Sequence, residues 1–338
     1  MCPVLVSLVI PTLDRAGDLR RLLASIQRQS VTALEVIVVD NGSKDETAQV
    51  LQQAGIPVRV IWNRRNLGAA HAKNQGIVAS RAPLVWFLDS DTELYDPDVV
   101  RRALDLMATY PGIGILGGEM TLGPDGRIVY HVKAFRRNGE TRDMPETDPV
   151  RLRVCDYLPT CNCLARKSLL EAWGGFDPAY FVLSEDDELG HAVRRAGALA
   201  VFDASVTVIH HLSTRGRVTS LELANRNRVR CALHNLPAPE VLRLPLREIQ
   251  ELLSWDSVSS LGSTDTQMLL DRYLGGFAAD LARSHPRTRP IATAVFGARY
   301  LSSLVKAYWY HLGRVPEILR IRRARPNFLA QTRISGSP

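Results

Sequence analysis

Hydrophobic and polar positions alternate in blocks through the first 120 residues. Val4–Ile10 is a continuous apolar, β-branched run, which predicts a buried strand rather than a signal peptide. Asp14 to Gln29 carries Leu19, Leu22, Leu23 and Ile26 at helical spacing. Val36–Val39 predicts a second strand ending at Asp40, Asp45–Ala54 a helix, Val58–Ile61 a third strand and Gly68–Ser80 an alanine-rich helix. Leu84–Leu88 predicts a fourth strand running into Asp89, followed by a helix over Pro97–Thr109 and a strand over Ile113–Leu116. Strands that alternate with helices imply an α/β fold, a mostly parallel sheet covered on both faces. Ligands of such sheets bind beyond the carboxyl ends of the strands. Three of those ends carry polar residues here: Thr12, Asp40 and Asp89-Ser90-Asp91.

The rhythm changes after residue 119. Pro124-Asp125-Gly126 reads as a turn between two extended runs, Glu119–Leu122 and Ile128–Val132. Residues 136–150 are polar and read as a loop. Ser168–Trp173 predicts a short helix stopped by Gly174-Gly175, Glu188–Ala196 a helix ending at Gly197, and Val206–Ile209 a strand that runs into His210-His211. Beyond 219 the periodicity is helical over Leu221–Leu236, Leu246–Leu253, Thr266–Ser284 and Ile291–Leu312.

At 338 residues, 46% hydrophobic and 23% charged, the chain is long enough for a large core, and its composition excludes disorder, collagen and a polytopic membrane protein. Five cysteines, an odd number, argue against a disulfide framework and fit a reducing compartment. Charge is uneven. Residues 1–219 hold 25 Lys/Arg against 26 Asp/Glu, whereas residues 283–338 hold 11 Lys/Arg against Glu317 alone. The excess therefore belongs to a basic tail, suited to a membrane surface, a nucleic acid or an acidic substrate.

Candidate chemistry gathers at the strand ends. Two carboxylates two residues apart, Asp89 and Asp91, repel each other unless a cation lies between them. Hard oxygen ligands suit Mg²⁺ or Mn²⁺ bridging a diphosphate, while a solvated strand end is the plain alternative. Glu185-Asp186-Asp187-Glu188 precedes a predicted helix, where acids stabilise the N-terminus; it also offers a general base. His210 or His211 could ligate a metal as neutral imidazole. Gly112-Ile113-Gly114-Ile115-Leu116-Gly117 matches a dinucleotide-binding spacing, but a hairpin rather than a helix follows it, so that role is rejected. Cys155, Cys161 and Cys163 lack a zinc-ligand spacing and read as buried thiols.

Taken in order, six blocks resemble a family 2 glycosyltransferase of the GT-A fold. They begin with Val9-Ile10-Pro11-Thr12-Leu13-Asp14-Arg15 and Val38-Val39-Asp40-Asn41-Gly42-Ser43-Lys44-Asp45. Asn66-Leu67-Gly68 with Lys73-Asn74-Gln75-Gly76 follows, then Phe87-Leu88-Asp89-Ser90-Asp91. The last are Gly174-Gly175-Phe176-Asp177 and Glu185-Asp186-Asp187-Glu188-Leu189, with His210 and Ser213 after them. The resemblance spans about 1–215. It implies a GT-A catalytic domain over 1–218, with a nucleotide half at about 1–118 and an acceptor half at about 119–218, and a helical region over 219–338.

The resemblance also implies residue roles. Pro11, Thr12, Asp14 and Asp40 would hold nucleobase and ribose, Asp40 accepting from a pyrimidine N3–H. Asn66 and Lys73 would line the nucleotide site, Lys73 near the phosphates, and Asp89 and Ser90 would face the donor. Asp91 would bind the metal, with His210 completing its shell. Asp186 would be the general base, with Glu185 second. Trp173, Gly175 and Phe176 would shape the acceptor pocket. The implied reaction is an inverting, metal-dependent transfer from a UDP- or dTDP-sugar to an acceptor hydroxyl, in glycan or glycoconjugate assembly or on a small secondary metabolite. A nucleotidyltransferase lacks its Gly-rich signature here, and the intact acids oppose a non-enzymatic scaffold.

Arg226-Asn227-Arg228 and Gly313–Arg325 resemble a rhamnosyltransferase-like branch, several of whose members use lipid-linked acceptors. Arg299 and Lys306 make Ile291–Leu312 a poor spanning helix. Leu301, Leu304, Val305, Tyr308, Trp309 and Leu312 read as one apolar stripe, followed by Arg320, Arg322, Arg323 and Arg325. That pattern suits a helix lying on an anionic bilayer, a peripheral protein on the cytoplasmic face of the membrane; packing on the catalytic domain or in a homodimer is the alternative. No aromatic platform accompanies the basic tail, which argues against nucleic acid as a partner.

Overall fold

The computed structural model describes residues 4–122, 127–130, 133–135, 141–143, 152–211, 220–253 and 289–334. The alternating blocks form the parallel part of a sheet, as their alternation implies. β1 (Val6–Thr12), β2 (Leu34–Asp40), β3 (Val58–Trp62) and β4 (Leu84–Leu88) run parallel, with β1 between β2 and β4. Helices α1 (Ala16–Gln27), α2 (Thr47–Gln52) and α3 (Ala69–Ala79) alternate with them. Next come β5 (Thr92–Leu94), α4 (Val99–Thr109), β6 (Ile113–Gly117), β7 (Met120–Leu122), β8 (Arg127–Tyr130), β9 (Lys133–Phe135) and β10 (Thr141–Asp143). β11 (Leu152–Cys155), β12 (Asn162–Arg166), α5 (Lys167–Trp173), α6 (Glu185–Arg195), β13 (Leu199–Asp203) and β14 (Val208–His210) follow.

The main sheet has eight strands in the order β11-β13-β6-β12-β4-β1-β2-β3. β12 runs antiparallel between β4 and β6, and β11 antiparallel to β13. Periodicity did not announce these strands. β12 begins at the polar Asn162 inside a cysteine-flanked run, and its side chain is satisfied only by tertiary contacts: Oδ1 accepts from Trp86 Nε1 at 3.1 Å and Nδ2 donates to the Val206 carbonyl at 2.9 Å. The hairpin expected after 119 is present as β7 and β8, its turn lying outside the described residues. Within the polar stretch read as a loop, Thr141–Asp143 is instead a strand paired with β9.

Side-chain alternation along β2 explains the two layers. Val36 and Val38 join the large core with Leu19, Leu22 and Ile26 of α1, whereas Ile37 and Val39 pack with Ala72 and Ala79 of α3 on the other face. The helices α7 (Leu221–Asn235), α8 (Ala238–Leu253), α9 (Arg289–Leu312), α10 (Val315–Arg323) and α11 (Phe328–Gln331) complete the described chain. Thr266–Ser284, expected to be helical, lies outside the described residues.

The chain divides into two compact units. Met1–Phe135, Thr141–Arg217 and Pro326–Pro338 form the first; Arg136–Glu140 and Val218–Arg325 form the second. The 219–338 region is therefore not one piece. From Pro326 the backbone belongs with the sheet: Leu329 N–H donates to the Gly174 carbonyl at 3.0 Å, Gln75 Nε2 donates to the Arg333 carbonyl at 3.0 Å, and Ile334 packs on the α3 side of the sheet. Apolar side chains at 328, 329 and 334 need a core, and the sheet supplies it.

In the second unit α7 and α9 bury Val229, Leu304 and Ala307, with Leu233, Tyr300 and Tyr308 around them. Among its described residues several buried contacts are polar: Arg228 pairs with Glu248 at 2.6 Å, Arg230 with Glu317 at 2.8 Å, and Asn225 Nδ2 donates to Ser303 Oγ at 2.6 Å. Among the described residues no helix is long and apolar enough to cross a membrane.

α3 crosses β1 at Gly76, where an added Cβ would come within 2.1 Å of Val9 Cγ1. Gly76→Ala is expected to destabilise the protein by about 1–3 kcal/mol through overpacking, although alanine is the better helix former. A urea midpoint equal to that of the wild type would refute this close approach.

Candidate active site

The site grows from the strand ends. β1 closes with Pro11 and the buried Thr12, whose Oγ1 has no hydrogen-bond partner among the described residues. β2 closes in register beside it with Asp40, and Asn41 N–H donates to the Thr12 carbonyl at 2.9 Å. Asp14 then takes a left-handed conformation, φ 51°, uncommon for a residue with a side chain. Two bonds hold it there: its N–H donates to Ser43 Oγ at 2.9 Å and its Oδ1 accepts from Lys44 N–H at 2.6 Å. Ser43 donates to Asp40 through its hydroxyl and, at 3.1 Å, its N–H. Burial nevertheless raises the Asp40 carboxyl above its ordinary value, against those hydrogen bonds.

Asn66 is exposed, and its Oδ1 accepts from Gly68 N–H at 2.8 Å, shaping the turn into α3. Gly68 has φ +86°, and a Cβ there would meet the Phe181 carbonyl at 2.5 Å, so only glycine fits. Lys73 is buried. Its Nζ donates to Glu185 Oε1 at 2.7 Å and to the Thr160 hydroxyl. Burial alone would depress this ammonium; the surrounding Glu185, Asp89 and Asp186 instead hold it above its ordinary value.

β4 delivers Asp89, half-buried, and then Ser90 and Asp91, both buried. β14 pairs antiparallel with β5 and brings His210 opposite Thr92. His210 Nε2 lies 3.3 Å from Asp91 Oδ1, whereas His211 Nε2 faces Glu93 Oε2 at 3.2 Å. Ligand atoms of Asp89, Asp91 and His210 all lie within 4.8 Å of one another. Two carboxylates and an imidazole form a donor set that fits Mg²⁺ or Mn²⁺. Asp91 Oδ2 also pairs with Arg15 at 2.8 Å.

The acidic run is not a flank but the first turn of α6, which begins at Glu185. Phe181, Leu183 and Ser184 before it all have positive φ, a concentration of backbone strain that tertiary contacts must hold in place. Glu185 is buried against Lys73, and its Oε2 has no hydrogen-bond partner among the described residues. Asp186 stays partly exposed. Its pKa is pushed well above the ordinary carboxyl value, first by burial and then by Glu185 and Asp187, with Lys73 opposing. Asp89, Asp91 and Asp186 all act on the Cys161 thiol, and Asp89, Glu185 and Asp186 on Lys73, so the two acidic groups surround one locus.

Phe176 is fully buried, stacked edge-on against Phe87 (5.4 Å) and Trp173 (5.0 Å), with Lys73 Nζ 5.5 Å from its ring centre. Asn74 clamps its backbone from both sides, donating to the carbonyl and accepting from the N–H at 2.8 Å each. Trp173 is buried as well. These aromatics therefore form the floor under Lys73, and Gly175 (φ +85°) is wedged between Asn74 and Leu329. The four described cysteines are buried and none forms a disulfide; burial raises the thiols of Cys155, Cys161 and Cys163, that of Cys155 to about 12, as in inert thiols.

Arg15, Asn74 and Thr160 had no role in the sequence reading. Arg15 and Asn74 lie inside quoted motifs, adjacent to Asp14 and Lys73, which was the available signal. Nothing local marks Thr160, whose partner lies 87 residues away.

Residues 7–174 match the model for glycosyl transferase family 2, and the chain belongs to that family. It is 29% identical over 245 residues to N-acetylglucosaminyl-diphospho-decaprenol L-rhamnosyltransferase of Mycobacterium tuberculosis, covering 64% of this chain and 79% of the relative. It is 22% identical over 209 residues to the O-antigen chain rhamnosyltransferase RfbN of Salmonella typhimurium, covering 61% and 66%. In fold it is similar to the mannosyltransferase PcManGT from Pyrobaculum calidifontis, solved with GDP-Man and Mn²⁺, at a TM-score of 0.55 and 18% identity over 90% of this chain and 87% of that one. It is also similar to GalNAc-T7, solved with UDP, GalNAc and Mn²⁺, at a TM-score of 0.57 and 16% identity over 69% and 48%. The protein is a glycosyltransferase of GT-A-like fold with rhamnosyltransferase relatives.

A raised carboxyl pKa has a thermodynamic consequence. The stability that Asp186 contributes is fully present below its unfolded value near 3.8 and is lost as pH rises through the raised folded value. Asn carries no charge at any pH. Asp186→Asn is therefore expected to gain stability relative to the wild type as pH rises above the ordinary carboxyl value, measured by urea unfolding. A difference independent of pH would contradict the strained state of Asp186.

Proposed function

We propose that the protein moves a sugar from a pyrimidine nucleotide-diphosphate donor, UDP- or dTDP-linked, to an acceptor hydroxyl with inversion at the anomeric carbon, in glycan or glycoconjugate biosynthesis. The observation that carries this reading is the convergence, on one locus, of the Asp89–Asp91–His210 donor set and a separate carboxyl, Asp186, poised by its raised pKa to take a proton. A divalent cation held by Asp91, Asp89 and His210 would supply Lewis-acid stabilisation to the departing diphosphate.

The chain's own residues do the rest. Thr12, with its unpartnered hydroxyl, and Asp40, at the adjacent strand end, receive the nucleobase and ribose; Pro11, Asp14, Asn66 and Ser90 shape that wall. Asp186 accepts the proton of the acceptor hydroxyl as its oxygen forms a bond to C1. The C1–O bond to the diphosphate breaks on the opposite face, and the nucleoside diphosphate leaves with the electron pair. Lys73 holds Glu185 in place through their 2.7 Å ion pair, which leaves Asp186 as the base and Glu185 as its support. The Phe176–Trp173 floor fixes Lys73, and so acts on the acceptor side from beneath.

Asp91→Ala is expected to abolish transfer, and EDTA to do so reversibly; full activity in EDTA would remove the metal. Asp186→Asn should keep nucleotide binding while lowering kcat by about 10²–10⁴-fold. An unchanged kcat would remove the base. The donor is identified by thermal shift with UDP-, dTDP- and GDP-sugars plus Mn²⁺, since a ligand of the native state raises its melting point.

The acceptor we favour is lipid-linked, a reading supported by the name of the mycobacterial relative, and an enzyme with such an acceptor would work at the cytoplasmic face of an anionic membrane. The sequence stripe of α9 divides in the structure. Leu304 and the half-buried Tyr308 face the interior with α7, while Leu301, Val305, Trp309 (77% exposed) and Leu312 remain exposed, with the exposed Arg320 and Arg323 following on α10. An exposed tryptophan in an aliphatic row near cations suits a helix at a lipid interface. Full-length protein should float with phosphatidylglycerol vesicles, and Trp309→Glu with Val305→Glu should stay at the bottom of the gradient. Equal flotation of both would dismiss the surface helix.

A further inference from the structure

Asp91 has a fully buried side chain beside the carboxylate of Asp89. A buried carboxylate next to another needs a positive neighbour or must give up its charge. In this structure the neighbour is Arg15, whose guanidinium lies 2.8 Å from Asp91 Oδ2 with its side chain only 15% exposed.

The backbone fixes that placement. Asp14, one residue before, is in the left-handed conformation and pinned by Ser43 and Lys44; Ala16, one residue after, donates its N–H to Asp45 Oδ2 at 2.9 Å. Arg15 is thus held on both sides by the β2–α2 loop while its long side chain reaches across the strand ends to the end of β4. His210 stands on the other oxygen of the same carboxylate.

We propose that Arg15 is the resident counter-ion of this metal site: it neutralises Asp91 until a divalent cation enters, and then turns to the diphosphate that arrives with it. The nucleotide part rests on the function proposed above; the counter-ion part does not. A guanidinium and a divalent cation on one carboxylate repel each other strongly in a site of low dielectric. Without nucleotide, Arg15 therefore opposes metal entry. A diphosphate reverses the balance, because its oxygens accept from the planar guanidinium fork and can neutralise both cations at once. Metal and nucleotide then favour each other, and by linkage the coupling is the same whichever binds first. A lysine would keep the charge but lose the fork.

The test is a Mn²⁺ titration followed by the electron paramagnetic resonance of the free ion, without nucleotide and with UDP or dTDP. Full-length wild type, Arg15→Met and Arg15→Lys are compared, with Asp91→Ala as the variant that marks the site and melting curves to show that each is folded. The wild type should bind Mn²⁺ at least about tenfold tighter with the nucleoside diphosphate than without it. Arg15→Met should bind Mn²⁺ alone about tenfold or more tighter than the wild type and lose most of the gain from nucleotide. Arg15→Lys should bind Mn²⁺ alone as weakly as the wild type, with a smaller nucleotide gain. Mn²⁺ binding to Arg15→Met no tighter than to the wild type overturns the counter-ion. Tighter Mn²⁺ binding by Arg15→Met with neither nucleotide bound by any form upholds the counter-ion but overturns the hand-over, and the nucleotide reading with it.

Discussion

Too many carboxylates meet at the open rim of the sheet for their own stability. Asp89, Asp91, Glu185 and Asp186 converge there, and two internal cations keep the cluster folded: Lys73 on Glu185 and Arg15 on Asp91. The two cations differ in a way that matters. Lys73 is enclosed by Glu185, Thr160 and the Phe176 ring, an arrangement that loses several kcal/mol if one partner is removed, about 3–5 for a buried pair. Arg15 stands at the edge, on a long and partly exposed side chain. One is a fixture of the fold and the other is able to leave. Asp186 has neither cation directly on it, and burial beside Glu185 and Asp187 raises its carboxyl well above the ordinary value.

Strain is concentrated around the same place. Asp14 and the run Phe181, Leu183 and Ser184 adopt backbone conformations that side chains disfavour, at the turn out of β1 and at the turn into α6. Each is held by contacts distant in sequence: Ser43 and Lys44 for the first, and for the second the Phe181 carbonyl bond from Ala70 N–H at 3.3 Å across Gly68. The Asn74 clamp on Phe176 and the return of Leu329 onto Gly174 fix the segment between them. A rigid scaffold with strain confined to the loops that carry the reacting groups is how a preorganised site is maintained.

The helical unit is built differently. Among its described residues the apolar cluster is small, and buried pairs such as Arg228–Glu248 and Arg230–Glu317 lie beside it. The outer row of α9, Leu301, Val305, Trp309 and Leu312, is exposed. A tryptophan in an exposed aliphatic row is the composition of a surface that meets a partner.

Much was legible in the sequence, for local reasons. The strands β1, β2, β3, β4 and β6 and the helices between them follow from runs and periods that any neighbour would respect, and the ordered motifs singled out Asp40, Asp89, Asp91, Asp186 and His210, which the fold places at strand ends and in the first turn of α6. What tertiary structure decided is whatever depends on pairing at a distance. β12 became a central strand because β4 and β6 hydrogen-bond to it on both sides, which no window of residues 162–166 reveals. Residues after Pro326 rejoined the sheet because that is where a matching apolar surface lies. Lys73, expected near the phosphates, pairs with Glu185 112 residues away, and Arg15, which the motif carried without a role, pairs with Asp91. Sequence specifies which charges exist; only the folded chain, by removing water from between them, decides which charges must meet.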